Sequence, residues 1–180
     1  MYGMVNQAIK KMLESSTNPD LWTEVAEANN IPKEGFNPLS QYDDAITGNL
    51  VVSISEITGK PAPDLLEDFG VYWIQYAKTT EYAGILETFG ETPVDLISSL
   101  DALHSRLKVS FEDLKPPSFW VENIGENEII VNYYSERDMP LEYFVKGLLR
   151  GIFESFGQKC HIEMIEPSDA SVKCKFNIKY

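Results

Sequence analysis

The chain has 180 residues, 43% hydrophobic and 24% charged, and its 28 acidic against 15 basic side chains give a formal net charge of −13. That length suits one globular domain with a sizeable core, and that charge excludes a surface built to wrap nucleic acid, because phosphate contacts need clustered Lys and Arg. No apolar run approaches the roughly 18–20 residues that span a bilayer, and the start MYGMVNQAIKKM lacks a basic stretch followed by an apolar one, so the expectation is a cytoplasmic protein with no membrane partner.

The first two-thirds reads as helix. Met1, Val5, Ala8, Ile9, Met12 and Leu13 recur at the spacing of one helix face. A second helix is expected over PDLWTEVAEANN, opening at Pro19 behind a capping Asn18, and a third over YDDAITGNLVVSISEITG, closing at Gly59. APDLLEDFGVYWIQYAK resumes the period through Leu65, Leu66, Phe69, Tyr72, Trp73 and Tyr76. TPVDLISSLDALHSRL carries a strong start signal, with Thr92 as cap, Pro93 at the first helical position and Asp95 three residues after the cap. Along that helix Ile97, Leu100 and Leu107 share a face with His104, so an imidazole looks inward.

After KPPSFW the period shortens to two. SFWVENI and NEIIVNYYS alternate around a short GEN connection and read as an antiparallel hairpin. PLEYFVKGLLRGIFESFGQ returns to helix with Leu141, Phe144, Leu148 and Ile152 in line. CHIEMI and VKCKFNIKY close the chain as strands, the latter alternating Val172, Cys174, Phe176, Ile178 and Tyr180 with polar residues. The fold expectation is α+β: a helical N-terminal subdomain, then a four-stranded antiparallel sheet with a helix between strands two and three.

Cys160 and Cys174 lie 14 residues apart, where they could face each other across paired strands, and read as free thiols of a reducing compartment. They are too few for a four-thiolate zinc site, and no CxxC, Walker loop, GxGxxG or HExxH occurs. Two histidines remain, His104 and His161. His104 reads either as a core histidine bonded to a carbonyl or as a ligand to a metal. Its helix offers only Asp101 as a second ligand, which is short of a zinc site, whereas haem iron needs one protein nitrogen because the porphyrin supplies four. In an extended chain Tyr133, Ser135 and Arg137 point the same way with donors about 6–7 Å apart, a row able to grip two carboxylates. A polar strand end explains the same spacing.

Tyr-x-Ser-x-Arg at Tyr133, Ser135 and Arg137, downstream of Asp-x-x-His at Asp101 and His104, resembles the bacterial haem nitric oxide/oxygen-binding (H-NOX) domains, relatives of the sensor domain of soluble guanylate cyclase. The likeness extends through MYGMVNQAI, GKPAPDLLEDFGVYW, LKPPSF, GLLRGI and FNIKY, over essentially the whole chain. It implies a single haem-binding sensor domain over residues 1–180, with a helical subdomain to about residue 60, a haem-cradling subdomain from about 61, and haem b between them. It implies His104 as the proximal iron ligand, Tyr133, Ser135 and Arg137 on the propionates, and Pro117 pressing on the porphyrin. Val5 and Ile9 would belong to a distal lid, with Trp73, Phe144 and Leu148 among the pocket residues. Members that hold oxygen stably carry a distal tyrosine where this chain has Phe144, with Tyr143 next to it, so nitric oxide and carbon monoxide are the expected ligands. The effector would be a separate protein, such as a histidine kinase, a cyclic-di-GMP enzyme or a chemotaxis receptor. A stable oxygen-binding domain and a haem-free module for a small apolar molecule are the competing readings. Peroxidase-like chemistry is disfavoured, because His161 has no evident route to the pocket.

Overall fold

The computed structural model describes residues 1–80, 84, 88, 90–109, 111, 113–169 and 171–180. The chain divides into two compact units, Met1–Phe69 and Gly70–Tyr180.

The first unit is helical. α1 (Gly3–Glu14) buries Ala8, Ile9 and Leu13 as its period requires, together with Asn6, whose Oδ1 accepts the Thr47 hydroxyl at 2.7 Å. α2 (Leu21–Ala28) begins two residues later than expected. Asn18 does not cap it; its Oδ1 takes the N–H of Asp20 in a turn that precedes the helix. α3 (Asp44–Thr58) is capped by Asp43, which accepts the Ala45 N–H, and stops at Gly59, whose φ of 71° suits a residue without Cβ. α4 (Ala62–Lys78) runs across the boundary between the units.

In the second unit, α5 (Pro93–Ser98) opens with the expected capping box, Thr92 and Asp95 each accepting the other's backbone N–H. The helix read as continuous is broken at Ser99, and α6 (Leu100–Leu107) follows as a separate two-turn segment. Leu96, Ile97, Leu100 and Leu103 all enter the interior from this pair of helices. β1 (Ser118–Gly125) and β2 (Glu128–Tyr134) form the hairpin through Glu126 and Asn127. α7 (Glu142–Ser155) precedes β3 (His161–Ile165) and β4 (Cys174–Lys179), and the antiparallel sheet is ordered β1-β2-β4-β3.

One sheet face carries Phe119, Ile129, Val131, Tyr133, Cys174, Phe176 and Ile178, which join Val145, Leu149, Ile152 and Phe153 of α7 in the core. The stripe of α7 that is fully buried is therefore not Leu141–Phe144–Leu148–Ile152. Only Ile152 of that set is wholly enclosed, and Phe144 and Leu148 flank the core, half-buried. The helix is apolar over more than one stripe, so periodicity alone did not say which stripe meets the sheet. Glycine explains how closely α7 packs. A Cβ on Gly70 would lie 2.2 Å from the Phe144 carbonyl oxygen, and one on Gly151 would lie 3.1 Å from the Val71 Cα, so α4 and α7 approach nearly backbone to backbone. Cys160 and Cys174 do not face each other. The register pairs His161 with Lys179 and Ile165 with Lys175, which leaves the two free thiols at opposite ends of the β3–β4 hairpin.

Candidate functional site

His104 sits on the second turn of α6, half-buried. Three residues earlier, the Asp101 carboxylate accepts the backbone N–H of Phe119 at 2.9 Å and ties this helix to the start of β1. The His104 ring lies 6.3 Å from the Phe119 ring, which in turn lies 5.6 Å from Tyr133, so a row of rings links the imidazole to the sheet. Burial holds the His104 pKa below its usual 6.5, and this outweighs the nearby Asp101 charge and the Pro117 carbonyl, both of which favour protonation. The ring nitrogen Nδ1 is buried with no hydrogen-bond partner. A neutral imidazole with an unsatisfied buried nitrogen is a side chain prepared to accept another partner. A cleft of about 270 Å³ opens beside it, lined by Asp101, Pro117, Ser118 and Tyr134 among others. This is below the roughly 300–1,000 Å³ of ordinary ligand pockets, so it is an approach to His104 and not an envelope for a macrocycle.

The strand that starts at Glu128 does not stay extended as far as Arg137. It ends at Tyr134, and Ser135 to Arg137 leave the sheet in a bend. Two of the three motif residues nonetheless stay inside, Tyr133 at 1% and Ser135 at 3% exposure, with Arg137 half-buried. The bend brings them together. Ser135 bonds the Tyr133 phenol, and its Oγ also accepts the Arg137 backbone N–H at 3.2 Å. Burial pushes the Tyr133 pKa up from 10.0 to about 12, opposed by that bond and by the Arg137 charge. The unfolded chain gives up this proton near pH 10 and the folded chain only near 12, so the stability Tyr133 contributes is whole below pH 10 and is lost as pH rises through that window. We predict that Tyr133→Phe flattens the fall in stability over this interval and removes a late phase from the phenolate absorbance titration. A titration identical to that of the parent chain would refute the assignment.

On α4 and α7, the Trp73 and Phe144 rings meet edge to face at 6.5 Å, and both pack with Leu148 against the core that contains Tyr133. Tyr143, the neighbouring phenol, is 37% exposed, so Phe144 is the residue turned toward Trp73. Val5 is half-buried and Ile9 buried on α1, in the first unit. His161 is exposed at the start of β3. Sequence reasoning passed over Phe119, Gly70 and Gly151. The two glycines had a signal, since glycine inside an apolar helix is out of place unless backbones meet there.

Among the described residues no group of three or more His, Cys, Asp or Glu can hold a metal ion. A lone imidazole beside a Tyr-Ser-Arg cluster fits a cofactor that brings its own equatorial ligands and two carboxylates. The family model described as Haem-NO-binding matches residues 2–164.

The chain belongs to the haem-NO-binding family.

This is a family of haem-based gas sensors, in which the domain is regulatory. Soluble guanylate cyclase gcy-31 of Caenorhabditis elegans is 26% identical over 167 residues, which cover 92% of this chain and 24% of that protein. Guanylate cyclase soluble subunit beta-2 of Rattus norvegicus is 34% identical over 92 residues, 51% of this chain and 13% of the relative. The chain thus spans about a quarter or less of the curated relatives it matches. An H-NOX protein from S. oneidensis, solved in the Fe(II)NO ligation state, superposes with a TM-score of 0.85 at 20% identity, over 99% of this chain and 98% of that one. The haem-NO-binding chain described here has the same fold, and none of its described helices is long and apolar enough to cross a membrane.

Proposed function

We propose that this chain is a cytoplasmic nitric oxide sensor, a single domain over residues 1–180 that holds ferrous haem b and also binds carbon monoxide. It passes its signal to a separate signalling protein, of the histidine kinase, cyclic-di-GMP enzyme or chemotaxis receptor kind. The observation that carries the reading is the neutral imidazole of half-buried His104, whose Nδ1 is enclosed without a partner, joined through the Phe119 ring to Tyr133 of the Tyr133–Ser135–Arg137 cluster. Haem iron, when bound, would supply the chemistry that takes up a diatomic gas.

His104 would ligate the iron, Tyr133, Ser135 and Arg137 would hold the propionates, and Pro117 would bear on the macrocycle. Trp73, Phe144 and Leu148 would form apolar surroundings for the gas. Release of His104 from the iron when nitric oxide binds would remove a tether from α6. Because Asp101 ties α6 to β1, movement of the helix is passed to the edge of the sheet. To turn a partner from 1:99 to 99:1, the two states must differ in ligand affinity by about 5.5 kcal/mol, a magnitude that breaking one coordination bond can supply.

Dioxygen develops partial negative charge and is favoured by a hydrogen-bond donor, so a wall offering Phe144 instead of a phenol selects against it. The test is the absorption spectrum of the ferrous protein under each gas. Nitric oxide and carbon monoxide should each shift the Soret band, and air should yield no lasting oxygenated spectrum. A stable oxygenated spectrum would refute the selectivity and move the reading to an oxygen-binding domain.

A further inference from the structure

The bend from Tyr133 to Arg137 lies beyond the end of β2, where ladder hydrogen bonds no longer fix its course. One residue holds both of its ends. The backbone N–H of Lys173 donates to the Tyr133 carbonyl at 2.8 Å, and the Lys173 ammonium donates to the Arg137 carbonyl. Lys173 stands immediately before β4, whose first residue, Cys174, pairs with Tyr133 in the sheet. The strand beside the motif thus anchors the carbonyls at the two ends of the bend, while Ser135 bonds the Tyr133 phenol and the Arg137 N–H. An ammonium has three donors, and this carbonyl takes one of them. Arg137 and Lys173 bring two positive side chains to this corner, where Glu136 and Asp138 flank Arg137 and Glu142 acts on Tyr133, and two cations are what a partner carrying two carboxylates requires.

We propose that Lys173 is a positioning residue of the propionate clamp: it fixes the backbone of Arg137 so that the guanidinium meets the carboxylates, and it adds the second positive charge there. This rests on the haem reading given above.

The test compares two porphyrins that differ only at the carboxylates. The full chain is titrated with iron protoporphyrin and with its dimethyl ester, in the parent form and as Lys173→Met and Lys173→Arg. A hydrogen bond to a charged group is worth about 1.5–3 kcal/mol, so Lys173→Met should weaken binding of the free acid by roughly ten- to a hundredfold. The ester should bind nearly as it does to the parent chain, and Lys173→Arg should restore most of the loss. Equal losses for acid and ester, no loss for either, or failure of the arginine to rescue would each overturn the role of Lys173. Lys173→Gln replaces the methionine variant if that one does not fold, and it is judged by the same difference. A parent chain that takes up neither porphyrin overturns the haem reading and this inference together, whereas uptake by the parent with an unselective loss in the variants overturns this inference alone.

Discussion

His104→Gly should be purified with haem at less than about a tenth of the parent occupancy, and imidazole added to the buffer should restore the Soret band. His104 is the one iron ligand that the haem reading assigns, and among the described residues no cluster of three or more His, Cys, Asp or Glu offers the iron another site. A tenfold loss of occupancy corresponds to only about 1.4 kcal/mol, far less than an axial bond supplies, so the decrease should be unmistakable. The fold should survive. His104 is half-buried, and the Asp101–Phe119 bond that ties α6 to β1 does not involve it, so the apoprotein should melt within a few degrees of the parent apoprotein, as substitutions away from a packed core usually do. The vacated space adjoins the cleft between Pro117 and Asp101, through which free imidazole can enter. A glycine variant that retains haem at parent levels without imidazole would refute the ligand assignment. A parent protein that is colourless after expression with ample haem would favour the haem-free module.

Gly70→Ala should be the most destabilising small substitution in the second unit. In the helix interior alanine is ordinarily better than glycine by about 1 kcal/mol. Here the new Cβ would lie 2.2 Å from the Phe144 carbonyl oxygen and 2.5 Å from the Leu148 nitrogen. Both are backbone atoms, which no rotamer change can move, so α4 and α7 must separate. Overpacking of this kind costs about 3 kcal/mol, which for a chain of this length lowers Tm by roughly 6–12 °C. The separation also pulls the Trp73 ring from Phe144, so Trp73 emission should shift to longer wavelength. Gly48→Ala is the control. It is another glycine inside a helix, but nothing lies within 4 Å of its Cβ, so it should raise stability slightly. If Gly70→Ala melted at or above the parent temperature, the close crossing would be wrong.

The sequence made the class of fold legible because its two periods are cleanly segregated, helical to Leu107 and alternating from Ser118, with one amphipathic helix between the strand pairs. Thr92, Pro93 and Asp95 announced a helix start that the capping box bears out. Ambiguity entered where a helix is apolar on more than one side. Leu148 and Leu149 are equally good core residues by composition, and only the sheet beneath α7 decides that Leu149 is the one enclosed. Asn18 was expected to cap the second helix, but its side chain closes the turn around Pro19 instead, and α2 starts after Asp20. At the site, spacing pointed to His104 and the Tyr133, Ser135 and Arg137 row, but it assumed an extended chain as far as Arg137. The grouping of these residues depends on a bend after Tyr134 and on Lys173, which is 36 residues from Arg137 in the chain. Contacts of that range leave no mark in local periodicity.

The interruption at Ser99 leaves His104 on a segment of eight residues. In isolation, helices shorter than about 12–15 residues barely form in water. The shape of this one is therefore lent by its surroundings: Leu100 and Leu103 beneath it and one carboxylate gripping a neighbouring strand. Because that support is Leu100 and Leu103 in the interior and Asp101 on β1, a disturbance reaching the histidine is carried into the packing beneath it and out to the sheet's margin.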